Sequence, residues 1–158
     1  MKIAFFTEGG YQGKVPRDNP NMRTDMAWVC ALGADHYNLS QIPHVLDGTY
    51  NLGIAILPKN KKPYLKLDIS KHLQRTCDVC SIMQESNYHL WQDNPVEDQM
   101  WYLNNILGTD FMFVHNNIDL EYYSGLLDKP CEKLPSVIIS DFIKTSKEKK
   151  DAVISGGN

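Results

Sequence analysis

Gly53-Ile54-Ala55-Ile56-Leu57 is apolar at five consecutive positions. A strand with one wet face alternates apolar and polar residues. A strand apolar on both sides must be covered on both, as in a parallel sheet with helices front and back. Two other runs share this property, Ile3-Ala4-Phe5-Phe6 and Phe111-Met112-Phe113-Val114. Working outward, strands are expected at residues 2–7, 36–39, 52–57, 79–84, 110–115, 136–140 and 152–155.

The segments between them carry helical spacing. Thr24 is the expected N-cap of a first helix, with Met22, Met26, Val29 and Gly33 at helical intervals. Asp68 caps a second, with Ile69, His72, Leu73 and Thr76 on one side. In Asn94-Pro95-Val96-Glu97 the spacing predicts Asn at the cap, Pro at the first helical position and Glu two residues later. Val96, Met100, Leu103 and Leu107 then form the expected core face, and Gly108 closes the helix. Asn117 opens the last helix, with Asp119 and Glu121 where the dipole favours anions. Residues 40–51 and 58–67, broken by Pro43, Gly48, Pro58 and Pro63, read as loops. Lys59-Asn60-Lys61-Lys62 reads as a solvated basic turn. Alternating strands and helices predict an α/β fold. The expected form is Rossmann-like and doubly wound, with a mostly parallel sheet of about six strands and helices on both faces.

The chain has 158 residues, enough for one domain with a real core. Its net charge of −3 argues against a dedicated nucleic-acid binder, which draws its affinity from Lys and Arg on phosphates. No apolar run approaches the ~20 residues of a membrane span, and Glu8-Gly9-Gly10 interrupts the first apolar run too early for a signal peptide. Four cysteines do not make a disulfide scaffold, so a cytoplasmic location is expected. Cys77-Asp78-Val79-Cys80 supplies only two thiols and enters a strand instead of starting a helix. It therefore reads as core, and no metal site is expected.

Three units are expected along the chain. Residues 1–143 form the α/β domain and residues 144–151 a Lys-rich linker. Residues 152–158 read as the start of a second α/β domain, because Ala152-Val153-Ile154-Ser155 runs straight into Gly156-Gly157-Asn158.

Ligands of open α/β sheets bind beyond the carboxyl ends of the strands, so the residues just after each strand are the candidates. The first strand is followed by Glu8, Gly9, Gly10, Tyr11, Gln12 and Gly13, a loop whose glycines let backbone approach a ligand. Its spacing is not Gly-x-Gly-x-x-Gly, and no acidic residue ends the second strand, which disfavours a dinucleotide. Glu85 follows the fourth strand and can act as a base or bind hydroxyls; the plain alternative is a solvated cap. His115 and Asn116 follow the fifth, where His can carry a proton or hold a hydroxyl; the plain alternative is local hydrogen bonding. Successive strands put Glu85 and His115 side by side. Ser140-Asp141 occupies a similar position, and Tyr88 and Trp91 can platform a sugar ring. Gly156 and Gly157 complete the candidate ligand-binding set.

Several of these segments taken together resemble nucleotide-sugar glycosyltransferases of the GT-B fold, most of all their phage and viral members. They are Met1-Lys2-Ile3-Ala4-Phe5-Phe6 with its glycine loop, Met83-Gln84-Glu85, Phe113-Val114-His115-Asn116, Leu134-Pro135-Ser136 and Val153-Ile154-Ser155-Gly156-Gly157-Asn158. The resemblance implies that the chain is the N-terminal, acceptor-side half of such an enzyme. A nucleotide-sugar donor would be its substrate, with no tightly bound cofactor and no catalytic metal. Gly9, Gly10, Tyr11 and Gly13 would face the cleft, and Glu85, His115 and Asn116 would line its acceptor side. The partners implied are the donor, a sugar or other acceptor, and a missing C-terminal domain, without which this half would be inactive in transfer. Two other readings stand beside it. One is a stand-alone flavodoxin-like binding or regulatory domain; the other is a non-catalytic interaction domain.

Overall fold

The computed structural model describes residues 1–19, 22–59, 61–84 and 93–139. The element order is β1 (Ile3–Thr7), β2 (Gly13–Lys14), α1 (Thr24–Leu32), β3 (Asp35–Asn38), β4 (Tyr50–Leu57), α2 (Ile69–Thr76), β5 (Cys77–Gln84), α3 (Val96–Leu107), β6 (Phe111–Val114), α4 (Asn117–Leu126) and β7 (Cys131–Lys133). The chain is α/β, and its strands join in one sheet of order β2-β3-β1-β4-β5-β6-β7. Every neighbouring pair is parallel except β2 and β3, so the sheet is mixed.

The five residues of β1 are all buried. Their alternate sides feed two separate cores. Ala4 and Phe6 meet Ile69 and Leu73 of α2, Tyr102 and Ile106 of α3, and Tyr123 of α4. Ile3 and Phe5 join Ile54 and Ile56 of β4 beneath Trp28 and Val29 of α1. The consecutive apolar residues of β4 are needed for this reason, since both of its faces are covered.

Local signals account for several boundaries. Gly33 ends α1 in the left-handed conformation at φ 62°, which costs glycine little. Asp68 caps α2 by accepting from the Lys71 N–H, and Asn116 caps α4 by accepting from the Asp119 N–H.

Other expectations are corrected. The first helix has Arg23, not Thr24, at its cap position. Pro95 takes the cap position of α3, and Asn94 instead offers its backbone carbonyl to the Gln99 side chain at 2.8 Å. The two proline-broken stretches are not loops throughout. A 3-10 helix at Leu39–His44 is closed by a reciprocal cap between Asn38 and Gln41, and a second lies at Lys62–Tyr64. Residues 136–139 are not in a strand. The last described strand is Cys131–Lys133, set against β6 between Pro130 and Pro135. Gly13 and Lys14, at the end of the expected glycine loop, form the edge strand β2; two residues are too few to show a period. The stretch 152–155, the linker and the start of a second domain lie outside the described residues.

The basic turn is only partly solvated. Lys61 is buried, its ammonium 3.1 Å from Asp98 and 5.8 Å from the Tyr102 ring centroid. The pair ties the segment after β4 to the first turn of α3. Cys77 is buried beside Gly53, where a Cβ would fall 2.3 Å from its sulfur. Burial first, with Asp78 adding to it, pushes the Cys77 thiol up to about 12, so it packs as an inert core group.

The orientation of α3 is the largest departure. Val96, Met100 and Leu107 remain 68%, 45% and 53% exposed, while Tyr102, Asn105 and Ile106 face the core. Polar anchors set this rotation. The Tyr102 hydroxyl donates to the Pro58 carbonyl at 2.7 Å, the Trp101 indole to the Leu67 carbonyl at 3.1 Å, and the Asn105 side chain accepts from the Ser70 N–H at 3.0 Å. Met100→Lys and Leu107→Lys should each change unfolding free energy by less than about 0.5 kcal/mol. Ile106→Ala should cost about 2–5 kcal/mol. Urea melts of the three variants check this, and equal losses would mean that α3 packs through its apolar stripe.

Candidate functional site

The chain leaves β1 for β3 on one side of the sheet, then returns to β4 on the other side of β1. The connections diverge at the carboxyl ends of β1 and β4, which is where open α/β sheets hold ligands. A cavity of about 480 Å³ lies there, a volume suited to a small organic ligand. Thr7 and Glu8 enter it from the end of β1, and Ile56 from β4. Arg23, Thr24, Asp25 and Trp28 form one wall from the first turns of α1. His115, just past β6, and Ser136 form the other.

The far wall is held by the chain beyond β7. Leu134 and Val137 pack on the α1 side of the sheet, and the Trp28 indole donates to the Pro135 carbonyl at 2.7 Å. The His115 ring lies 5.0 Å from the Trp28 ring, tilted by 42°. Two flat rings therefore border a cavity whose remaining groups are the hydroxyls of Thr7, Thr24 and Ser136, the carboxylates of Glu8 and Asp25, the Arg23 guanidinium and the Ile56 side chain. Arg23 and Asp25 form a loose ion pair at 3.7 Å, so both signs of charge stand at the mouth.

Beneath Arg23 and Asp25 lies His36, buried in β3. Its Nδ1 accepts from the Tyr11 N–H at 3.2 Å, and its Nε2 meets Thr7 Oγ1 at 2.7 Å. Burial lowers its pKa, Asp25 opposes that shift, and Arg23 adds to it.

The glycine loop lies along the sheet edge. Gly10 rests on the end of β3, where a Cβ would sit 1.9 Å from the Tyr37 carbonyl carbon. Gly13 begins β2, the antiparallel edge strand paired with His36 and Asp35. The loop turns away along the sheet edge, and Glu8 rather than Gly9, Gly10, Tyr11 or Gly13 borders the cavity. Tyr11 contributes its backbone N–H to His36. Asn116 is engaged in its own helix cap: Oδ1 accepts from the Asp119 N–H at 2.8 Å, and the side-chain amide donates to the Asp119 carboxylate at 2.8 Å. Among the described residues, His115 and Glu8 are the residues expected after strand ends that border the cavity. Glu85, Tyr88, Trp91, Ser140, Asp141, Gly156 and Gly157 lie outside the described residues. Among the described residues no cluster of His, Cys, Asp and Glu could hold a metal ion, and no helix is long and apolar enough to cross a membrane.

Thr7, Arg23, Thr24, Asp25, Trp28, Ile56 and Ser136 lie outside the residues expected at the site. Thr7 ends a strand instead of following it, and Arg23 begins a helix. A search that included the last strand residue and the first helical turn would have reached both. No protein family, curated protein or solved structure matches the chain.

Two outcomes follow from the geometry. Gly10→Ala should lower stability by several kcal/mol, because the added methyl meets backbone and not a movable side chain; a melting curve like that of the wild type would contradict the contact. His36 binds protons more readily unfolded than folded, so its contribution to stability is whole above the ordinary His value of about 6.5. It is lost as pH falls below that value toward the lowered folded pKa. Urea melts between pH 8 and 5 should show wild-type stability falling with acid more steeply than that of His36→Gln. Parallel slopes would remove His36 as the cause.

Proposed function

We propose that this chain is the acceptor-side domain of a glycosyltransferase that moves a sugar from a nucleotide-sugar donor to a saccharide or similar acceptor. The observation that carries the reading is the cavity over β1 and β4, bordered by two tilted rings and by groups that both donate and accept hydrogen bonds. A sugar offers an apolar ring face and a rim of hydroxyls, so it needs an aromatic surface beside mixed polar partners. The partly exposed His115 ring, backed by the buried Trp28, supplies the first; Thr7, Glu8, Asp25 and Arg23 supply the second. His115 is suited to hold or move a proton at an acceptor hydroxyl, since its ring borders the cavity and a neutral imidazole accepts at one nitrogen. In this reading the sheet is the core of a Rossmann-like, doubly wound domain. The two packed faces of the sheet, with α1 on one and α2, α3 and α4 on the other, support that description. A companion domain would bring the donor.

A second reading is favoured by one specific feature. The parallel strands run β3-β1-β4-β5-β6-β7, the order of flavodoxin-like folds, with the cavity over the corresponding switch point. A stand-alone domain of that type would bind a nucleotide or flavin there.

Titrating the chain with methyl glycosides, a nucleotide-sugar and FMN, followed by amide NMR shifts, separates the two. The glycosyltransferase reading expects glycosides to shift Thr7, Trp28 and His115, and His115→Ala to weaken them about tenfold. It also expects His115→Ala to lower Tm by no more than about 4 °C. Shifts with FMN alone would favour the second reading, and shifts with none of the three would refute both.

A further inference from the structure

We infer that His36 is a positioning residue, whose bond from the Tyr11 N–H fixes the Thr7 hydroxyl as a donor into the cavity for a ligand oxygen. The argument begins with a group whose role is not adjustable. A backbone N–H can only donate, so His36 Nδ1, 3.2 Å from the Tyr11 nitrogen, must accept. A neutral imidazole that accepts at Nδ1 carries its proton on Nε2. That proton faces Thr7 Oγ1 at 2.7 Å, so the hydroxyl oxygen is the acceptor of this bond. The hydroxyl proton must then point away from His36. Among the described residues, His36 is the only hydrogen-bond partner of the Thr7 side chain.

Thr7 is 2% exposed and borders the cavity. A buried hydroxyl whose proton lacks an acceptor costs free energy. An oxygen brought by a ligand removes that cost, while an apolar group in the same place does not. Thr7 therefore selects for an oxygen at one position. The chemical class rests on the glycosyltransferase reading above: a sugar hydroxyl or ring oxygen. The inference also gives the glycine loop a function. Gly10 lets the loop lie against the end of β3, and this approach brings the Tyr11 N–H within reach of His36. Through Tyr11, which does not border the cavity, the loop sets the direction of a proton within it.

The first measurement needs no ligand. Long-range proton–nitrogen correlations of the wild-type chain with ¹⁵N-labelled histidine, at pH 7.5, should give the neutral Nε2–H pattern for His36. The Nδ1–H pattern or an imidazolium would overturn the inference and leave the glycosyltransferase reading untouched. The second measurement is titration with methyl glycosides of glucose, galactose and mannose. The glycoside that binds the wild type should bind Thr7→Ser about equally and Thr7→Val about tenfold more weakly. Its binding should also move the His36 Nε2–H resonance, because the two hydrogen bonds share Thr7 Oγ1. That shift tests the inference on the wild type even if Thr7→Val does not fold. Equal binding by Thr7→Val, or an unmoved resonance on binding, would overturn the role of Thr7 alone. Failure of every glycoside to bind a chain with the expected tautomer would overturn the sugar as ligand, and the proposed function with it.

Discussion

Strand β1 is buried at every residue and hydrogen-bonded to parallel strands on both sides. The rest of the molecule answers to that constraint. Its alternating side chains point into two cores, so helices must cover both faces. Ala4 and Phe6 rest under α2, α3 and α4, and Ile3 and Phe5 under α1. The fifth residue, Thr7, lies on the α1 side at the strand's end, where it borders the cavity.

The polar groups there are held both by one another and by backbone groups of distant segments. His36 is pinned by a backbone N–H and a hydroxyl from two different segments. Trp28 is pinned by a carbonyl far along the chain, and it supports His115 through ring contact. A cavity built this way presents its donors and rings in set directions before any ligand enters. Preorganisation of that kind lowers the cost of binding.

Much of the architecture was legible. Consecutive apolar residues identified β1, β4 and β6, because only a strand covered on both faces keeps such a run. Asp68 and Gly108 marked helix ends through chemistry that acts within one turn. The errors share a cause. Val96, Met100, Leu103 and Leu107 form a clean apolar stripe, yet Tyr102 and Asn105 set the helix's rotation by reaching polar partners on other elements. Lys61 looked solvated because its partner, Asp98, lies far along the chain. His115 was found at the site by its place after a strand. The glycines drew attention by composition, although Gly10 serves close packing on β3 and Glu8 is the loop residue at the cavity.

The amino-acid sequence by itself determined the α/β class, the central strands and the helix ends marked by Asp68 and Gly108. Each rests on periodicity or on contacts within a few residues, and these survive without knowledge of what packs where. Only the tertiary structure decided the order of strands, the antiparallel edge, the rotation of α3 and the assembly of Thr7, Trp28 and His115 around one cavity, with His36 behind Thr7. Those features depend on hydrogen bonds and burial between segments distant in the chain, and no local pattern records which distant partner a polar side chain will find.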